Sequence, residues 1–354
     1  MSHRVFAALA IVSAALSLGA APVTGQAPAD GAKAEKTAAT NAWTPPRTPD
    51  GQPDLQGVWL SNSATPLERP KGLEGRQFLT DDEVTQLKER AARIFDATGN
   101  SAFAGGDNVF LAAFGNVEQY DNPNATGSAV EMVEREFDNR TSMIVDPPDG
   151  RIPPLTPEAQ QRRAAAGAAA QRLPAGPEDL SNLVRCITWG VPRLGGNSGA
   201  GPYSYYQILQ APGYVVLTME TNHDARIIPL DQRPHLAQSI RQWHGDSRGR
   251  WEGNTLVVET TNFSPKSNFM GSAENLHLVE RFTRVAPDTI NYELTLSDPT
   301  TWTRAWTAVI RLKQSQNKIY EFACHEGSQD VMVGILAGAR AQERAEDEVA
   351  RTRR

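Results

Sequence analysis

From Tyr203 to Cys324 the chain is a succession of short runs that alternate apolar and polar residues, broken by turn residues. Nothing else in the sequence restricts the fold as much. The runs cover 205–209, 214–219, 226–230, 246–251, 255–263, 276–285, 289–297, 306–313 and 318–324. Between them stand Ala211-Pro212-Gly213, Glu252-Gly253-Asn254, Ala286-Pro287-Asp288 and Asp298-Pro299-Thr300. Period-two alternation buries one face of a strand, and Gly, Pro, Asn and Asp supply the dihedrals of tight turns. Sequential strands with such short connections pair antiparallel. The expected fold is therefore mainly β, a β-rich α+β unit. Its centre is an antiparallel meander, shaped as a strongly curved sheet or a calycin-like barrel.

The alternation also assigns faces. Leu278, Glu280 and Phe282 share one face of their strand, with His277, Val279, Arg281 and Thr283 opposite. Ile290, Tyr292, Leu294 and Leu296 extend the apolar face, as do Trp306, Ala308, Ile310 and Leu312. The same reading puts Tyr320, Phe322 and Cys324 on it. Glu280 is the exception, a carboxylate between two core residues. A buried acid needs a partner, so Glu280 is either half of an ion pair with an arginine or an acid inside a functional cavity.

Upstream of the meander the pattern changes. Arg4 followed by the apolar run Phe6–Ala21 and small residues up to Ala27 has the anatomy of a secretory leader, 1–27. Residues 28–44 are rich in Ala, Lys and Thr with no apolar period and read as a linker. Residues 45–202 form a wrapping segment. It contains a helix at 81–97 capped by Thr80, a second helix opened by Thr156 and Pro157, and a short one over 177–185. A C-terminal helix over 330–351 closes the 203–354 part, which forms one structural unit with 45–202.

The net charge is −6, with basic residues dispersed. That balance argues against nucleic-acid binding, which leans on clustered Lys and Arg. No later stretch has the ~18 apolar residues of a membrane-spanning helix. An exported, periplasmic or extracellular protein with a small-molecule ligand or substrate is the expectation. The only two cysteines, Cys186 and Cys324, read first as a disulfide in an oxidising compartment.

The histidines lie too far apart in sequence for a local metal motif, a metal site assembled from distant strands stays open, and no cofactor is expected. Several stand beside carboxylates at strand ends: His223 with Asp224, His244 near Asp246, and His325 with Glu326. Imidazole is the side chain that works as acid or base near neutrality. The candidate catalytic set is His223, Asp224, Arg226, His277, Glu280 and His325. The candidate ligand-binding set is His235, Asp246, Arg281, Trp251 and Glu326. Ser247 lacks a nucleophile-elbow context. Trp243, Trp251, Trp302 and Trp306 suit either a core or a ligand platform.

Longer stretches carry a resemblance. RTPDGQPDLQGVW, RTSMIVDPPDGRIPPLTPEAQ, RCITWGVPR, HDARIIPLDQRPH, RQWHGDSRGRWEGNTLVVETTNF, ERFTRVAPDTINYELTLSDPTTWTRAWT and YEFACHEG resemble a large family of exported proteins of soil bacteria such as acidobacteria. The likeness covers about residues 43–340. It implies a secreted domain and brings no established activity. It implies recurrence of Cys186, His223, Arg226, His235, Gly245, Asp246, Trp251, Asn262, Glu280, Arg281, Asp298, Cys324, His325 and Glu326. This sequence departs from the pattern over 192–204, where such proteins carry Asn- and Tyr-rich segments.

Three functions fit these residues. One is an enzyme using His/carboxylate acid–base chemistry on a small polar substrate. The others are a ligand-binding β-barrel without catalysis and an envelope interaction protein. Convergence of histidines and acids on one cavity marks the first, an apolar barrel cavity the second, and a filled interior with an exposed apolar patch the third.

Overall fold

Two antiparallel meanders make the sheet, and a strand from far upstream joins them. The computed structural model describes residues 43–94, 106–117, 135–193 and 205–353. The expected leader, nearly all of the linker and most of the divergent 192–204 loop lie outside the described residues. The first meander is β3 (Tyr205–Ala211), β4 (Tyr214–Met219) and β5 (Ala225–Pro229). The second is β6 (Asp246–Glu252), β7 (Thr255–Thr261), β8 (His277–Ala286), β9 (Thr289–Ser297) and β10 (Trp306–Ser315). The upstream strand β1 (Gly57–Leu60) lies between β3 and β10, giving the order β5-β4-β3-β1-β10-β9-β8-β7-β6. A short β2 (Ile144–Asp146) pairs with the start of β10, on the edge whose far end pairs with β1.

The sheet curls until its two ends lie against each other, yet no ladder joins β5 to β6 among the described residues. It is strongly curved and not a closed calycin-like barrel. Gly249 on β6 makes the approach possible: a Cβ there would stand 2.6 Å from Leu230 Cδ2 and 2.8 Å from Ile228 Cγ2. The expected faces of β8, β9 and β10 hold. Leu278, Glu280, Phe282, Tyr292, Leu294, Trp306, Ile310 and Leu312 are buried, with Trp59 of β1 and Trp302 beside them. His277, Val279 and Arg281 lie on the outer side. Phe282 stacks on Tyr292, centroids 4.5 Å apart, and Trp302 meets Trp306 edge-on at 5.6 Å.

The strand expected over 318–324 does not form. Its neighbour would have been β10, whose free edge β1 and β2 already occupy. Residues 318–323 are irregular, Tyr320 is 69% exposed, and Cys324 opens helix α4 (Cys324–Thr352). Cys324 therefore lies outside the sheet core. It is still bonded to Cys186, with the Cα atoms 5.8 Å apart and 138 residues between them.

The upstream helices pack separately. Helix α1 (Asp81–Ile94) begins at a capping box: Glu83 N–H donates to Thr80 Oγ1 and Thr80 N–H to Glu83 Oε2. The Glu83 carboxyl is held down to about 2, first by the Arg76 guanidinium. Leu87, Ala91 and Ile94 pack with Phe110 and Ala113 of α2 (Gly106–Gly115) and with Leu73 and Phe137. Helix α2 sits in a stretch whose Gly and Asn content hides its apolar side in the sequence. Helix α3 (Pro157–Ala170) has Thr156 as its cap, accepting from Ala159 N–H, and buries only Ala159.

Candidate active site

The chain leaves β4 through a tight turn in which Asn222 and His223 both have positive φ, 56° and 54°. Two such residues in a row bend the chain sharply. Alternation along β5 then turns Asp224, Arg226 and Ile228 inward and leaves Ala225 and Ile227 outside. Asp246 and Ser247 at the start of β6 are buried too. The long 231–245 connection is held to the end of β7 by Asn262, whose side-chain amide donates to Leu236, Ala237 and Ile240 carbonyls. Gly245 ends that connection at φ +69°, and a Cβ there would lie 2.5 Å from the Thr261 carbonyl oxygen. Only glycine fits both conditions.

Three hydrogen-bonded groups meet where β5 and β6 abut. In the first, Thr188 Oγ1 donates to Asp224 Oδ2 at 2.9 Å and stands 2.8 Å from His244 Nε2. Asp224 Oδ1 is 3.4 Å from the same nitrogen. The hydroxyl has one proton and gives it to Asp224, so His244 Nε2 carries its own hydrogen toward Thr188 and Asp224. In the neutral ring that leaves the lone pair on Nδ1, which has no partner among the described residues. Trp189 N–H also donates to Asp224 Oδ2, and Gly190 N–H to Thr188 Oγ1.

In the second group, Asp246 is held from three sides, by His235 Nδ1 at 2.9 Å, Leu236 N–H at 3.0 Å and Arg248 Nη1 at 2.6 Å. In the third, Arg226 makes a two-pronged pair with Glu280, Nη1 to Oε1 at 2.9 Å and Nη2 to Oε2 at 2.5 Å. Their side chains are 6% and 1% exposed. Tyr292 O–H donates to Glu280 Oε1, and Arg226 Nη2 also reaches Ser247 and Thr260 hydroxyls. The sheet interior is filled around this pair, with about 10 Å³ of free space beside it, room for one water at most. Burial lifts the nearby phenols, Tyr206 to about 12 and Tyr292 well above the usual value, so both stay protonated. Arg226 is held above its ordinary value: burial opposes its charge, and Glu280 outweighs burial.

Outside this filled interior, a concavity of about 640 Å³ opens between β5, the end of the 231–245 connection and β6. His244, Asp246, Ser247 and Arg226 line it, with Trp243 and Ile227 as apolar wall. A concavity of that size suits a small molecule.

The structure thus gathers Asp224, Arg226, His235, Asp246 and Glu280 around one place. It does not bring the rest of the expected set there. His223 is exposed on its turn. His277 is on the outer face, bonded to Glu259 Oε1 at 2.7 Å, and it holds the Glu259 carboxyl below its usual range. Arg281 is on the same face and pairs with Glu252. Trp251 is half-buried against the sheet core. His325 and Glu326 are exposed in the first turn of α4. Glu280 is spoken for by Arg226, the first of the two readings its position allowed. Thr188, in RCITWG, was not singled out by the sequence: threonine does not titrate, and only its partners give it meaning.

Among the described residues no group of three or more His, Cys, Asp or Glu side chains could hold a metal ion. No described helix is long and apolar enough to cross a membrane. No protein-family model matches the chain, and no curated protein is significantly similar to it.

Proposed function

We propose that this chain is an exported enzyme that performs acid–base chemistry on a small polar substrate in the concavity between β5 and β6. His244 is the proton carrier. Thr188 and Asp224 fix its ring and tautomer through Nε2, which leaves Nδ1 to take and return the proton. Asp246, clamped by His235 and Arg248, and the Ser247 hydroxyl offer polar contacts to the substrate. Trp243 and Ile227 offer it an apolar face. Arg226 and Glu280 act as the fixed floor. The observation that carries this reading is an imidazole bonded through one nitrogen to a buried hydroxyl–carboxylate pair, at the wall of an open concavity. The filled interior speaks against a barrel that carries a ligand inside.

The test is loss of individual compounds from a mixture of small hydroxylated and carboxylated metabolites, followed by mass spectrometry, using protein exported to a bacterial periplasm. His244→Ala is expected to abolish any turnover found with the wild type, and His223→Ala to retain it. Equal turnover by wild type and His244→Ala would remove His244 from the chemistry and sink the proposal.

A further inference from the structure

A second concavity, larger than the His244 site, lies elsewhere. It is a groove of about 1,200 Å³ between α3, the 264–276 segment and the 298–302 turn, and it shares no lining residue with the His244 site. Its floor is rigid. Asp298, 2% exposed, accepts from the Ser272 hydroxyl at 2.6 Å, from the Thr300 N–H and hydroxyl at 2.8 and 2.7 Å, and from the Thr301 hydroxyl at 2.8 Å. Helix α3 is fixed to the same turn through Thr156 and Arg162, both donating to the Thr300 carbonyl. The opposite wall is fixed as well, since Asn182 donates to the Lys266 carbonyl and Ser267 to the Trp243 carbonyl.

Charge distinguishes this groove. Arg162 and Arg163 on α3 and Lys266 across from them line the groove, as do Glu68, Glu274 and the buried Asp298. Arg162 is held by Thr300 and Thr301, and Glu68 accepts from the Ile152 N–H, yet neither they nor Arg163, Lys266 and Glu274 have an ion-pair partner among the described residues. Cations and carboxylates therefore face one fixed groove without having neutralised each other. A ligand with a single sign of charge would satisfy one set and be repelled by the other. A ligand with an ammonium at one end and a carboxylate at the other satisfies both. The volume exceeds the roughly 300–1,000 Å³ of an ordinary small-molecule pocket, so a single amino acid would leave most of it empty.

We infer that this groove binds short peptides by their two charged ends, with Lys266 and Arg163 taking the carboxylate and Glu68 and Glu274 the ammonium. Asn268 and Asn275, also in the lining, offer amides to the peptide backbone between the ends.

Calorimetric titration of the full, disulfide-intact chain with trialanine, N-acetyl-trialanine and trialanine amide tests this. Trialanine is expected to saturate one site, and blocking either end to weaken it about tenfold, the scale of one lost charge-assisted contact. The exposed double variant Arg163→Glu, Lys266→Glu should keep the wild-type circular dichroism and lose trialanine. Absence of saturation, a blocked end that makes no difference, or a double variant that binds like wild type would each overturn the inference. None of these outcomes bears on His244, because none of the altered residues lines its site.

Discussion

Replacing Arg226 with Met tests the account of the sheet interior most directly. Methionine fills much of the space but leaves Glu280, 1% exposed, without its cation. The Tyr292 hydroxyl would still donate to Glu280, and the Ser247 and Thr260 hydroxyls, 3.0 Å apart, would still bond each other. The dominant loss is therefore the uncompensated carboxylate, and breaking a buried pair from one side costs about 3–5 kcal/mol. Replacing both partners, Arg226→Met with Glu280→Met, removes the charge together with its cation and should recover most of the loss. Urea unfolding followed by tryptophan fluorescence at neutral pH reads all three proteins. A single variant within about 1 kcal/mol of wild type, or a double variant as unstable as the single, would refute this reasoning.

Gly245→Ala would meet the Thr261 carbonyl and a positive φ; a loss of about 1–3 kcal/mol in urea unfolding is expected, with turnover falling further because His244 is the preceding residue. Hydrogen bonds from Ser272, Thr300 and Thr301 hold the Asp298 carboxyl below its usual range despite burial. Its contribution is present above the unfolded carboxylate value and lost as pH falls through the lower folded one. Asp298→Asn should flatten the acid limb of the Tm–pH curve, and an unchanged limb would contradict this. Opening the Cys186–Cys324 loop with Ser at both positions should cost about 5 kcal/mol in the chain-entropy model, read as a lower urea midpoint than the oxidised wild type. It should also loosen the 186–190 segment, so that Thr188→Val has less effect on turnover in that background than in the wild type.

Strand identity was legible in the sequence wherever alternation and turn chemistry agreed, as in 255–261 and 289–297. It failed at 318–324, where a good alternating run had no sheet edge left to join. The edge had gone to β1, four residues in a Pro- and Gly-rich stretch, too short to advertise a strand. Partner choice of this kind depends on residues more than a hundred positions away. The site shows the same limit. Acids and histidines at strand ends could be named from the sequence, and Asp224, Arg226 and Asp246 do converge. His223 and His277 could not be told apart from His244, because a positive φ or an outward pleat decides which imidazole meets the others. The disulfide was legible because their number left the two cysteines only each other.

The unpaired seam between β5 and β6 has a mechanical consequence. Elsewhere along the sheet a strand is released only by breaking a row of backbone bonds. At the seam, side chains alone hold the ends together: Arg226 across to Ser247, Thr260 and Glu280, and the close packing allowed by Gly249. Backbone amides on the facing edges of β5 and β6 should exchange with solvent ahead of those between β8 and β9. Were the seam to part, it would present two bare strand edges, the form in which one copy of a sheet can zip onto another. Arg226 is in that sense a latch against self-association as well as a core residue.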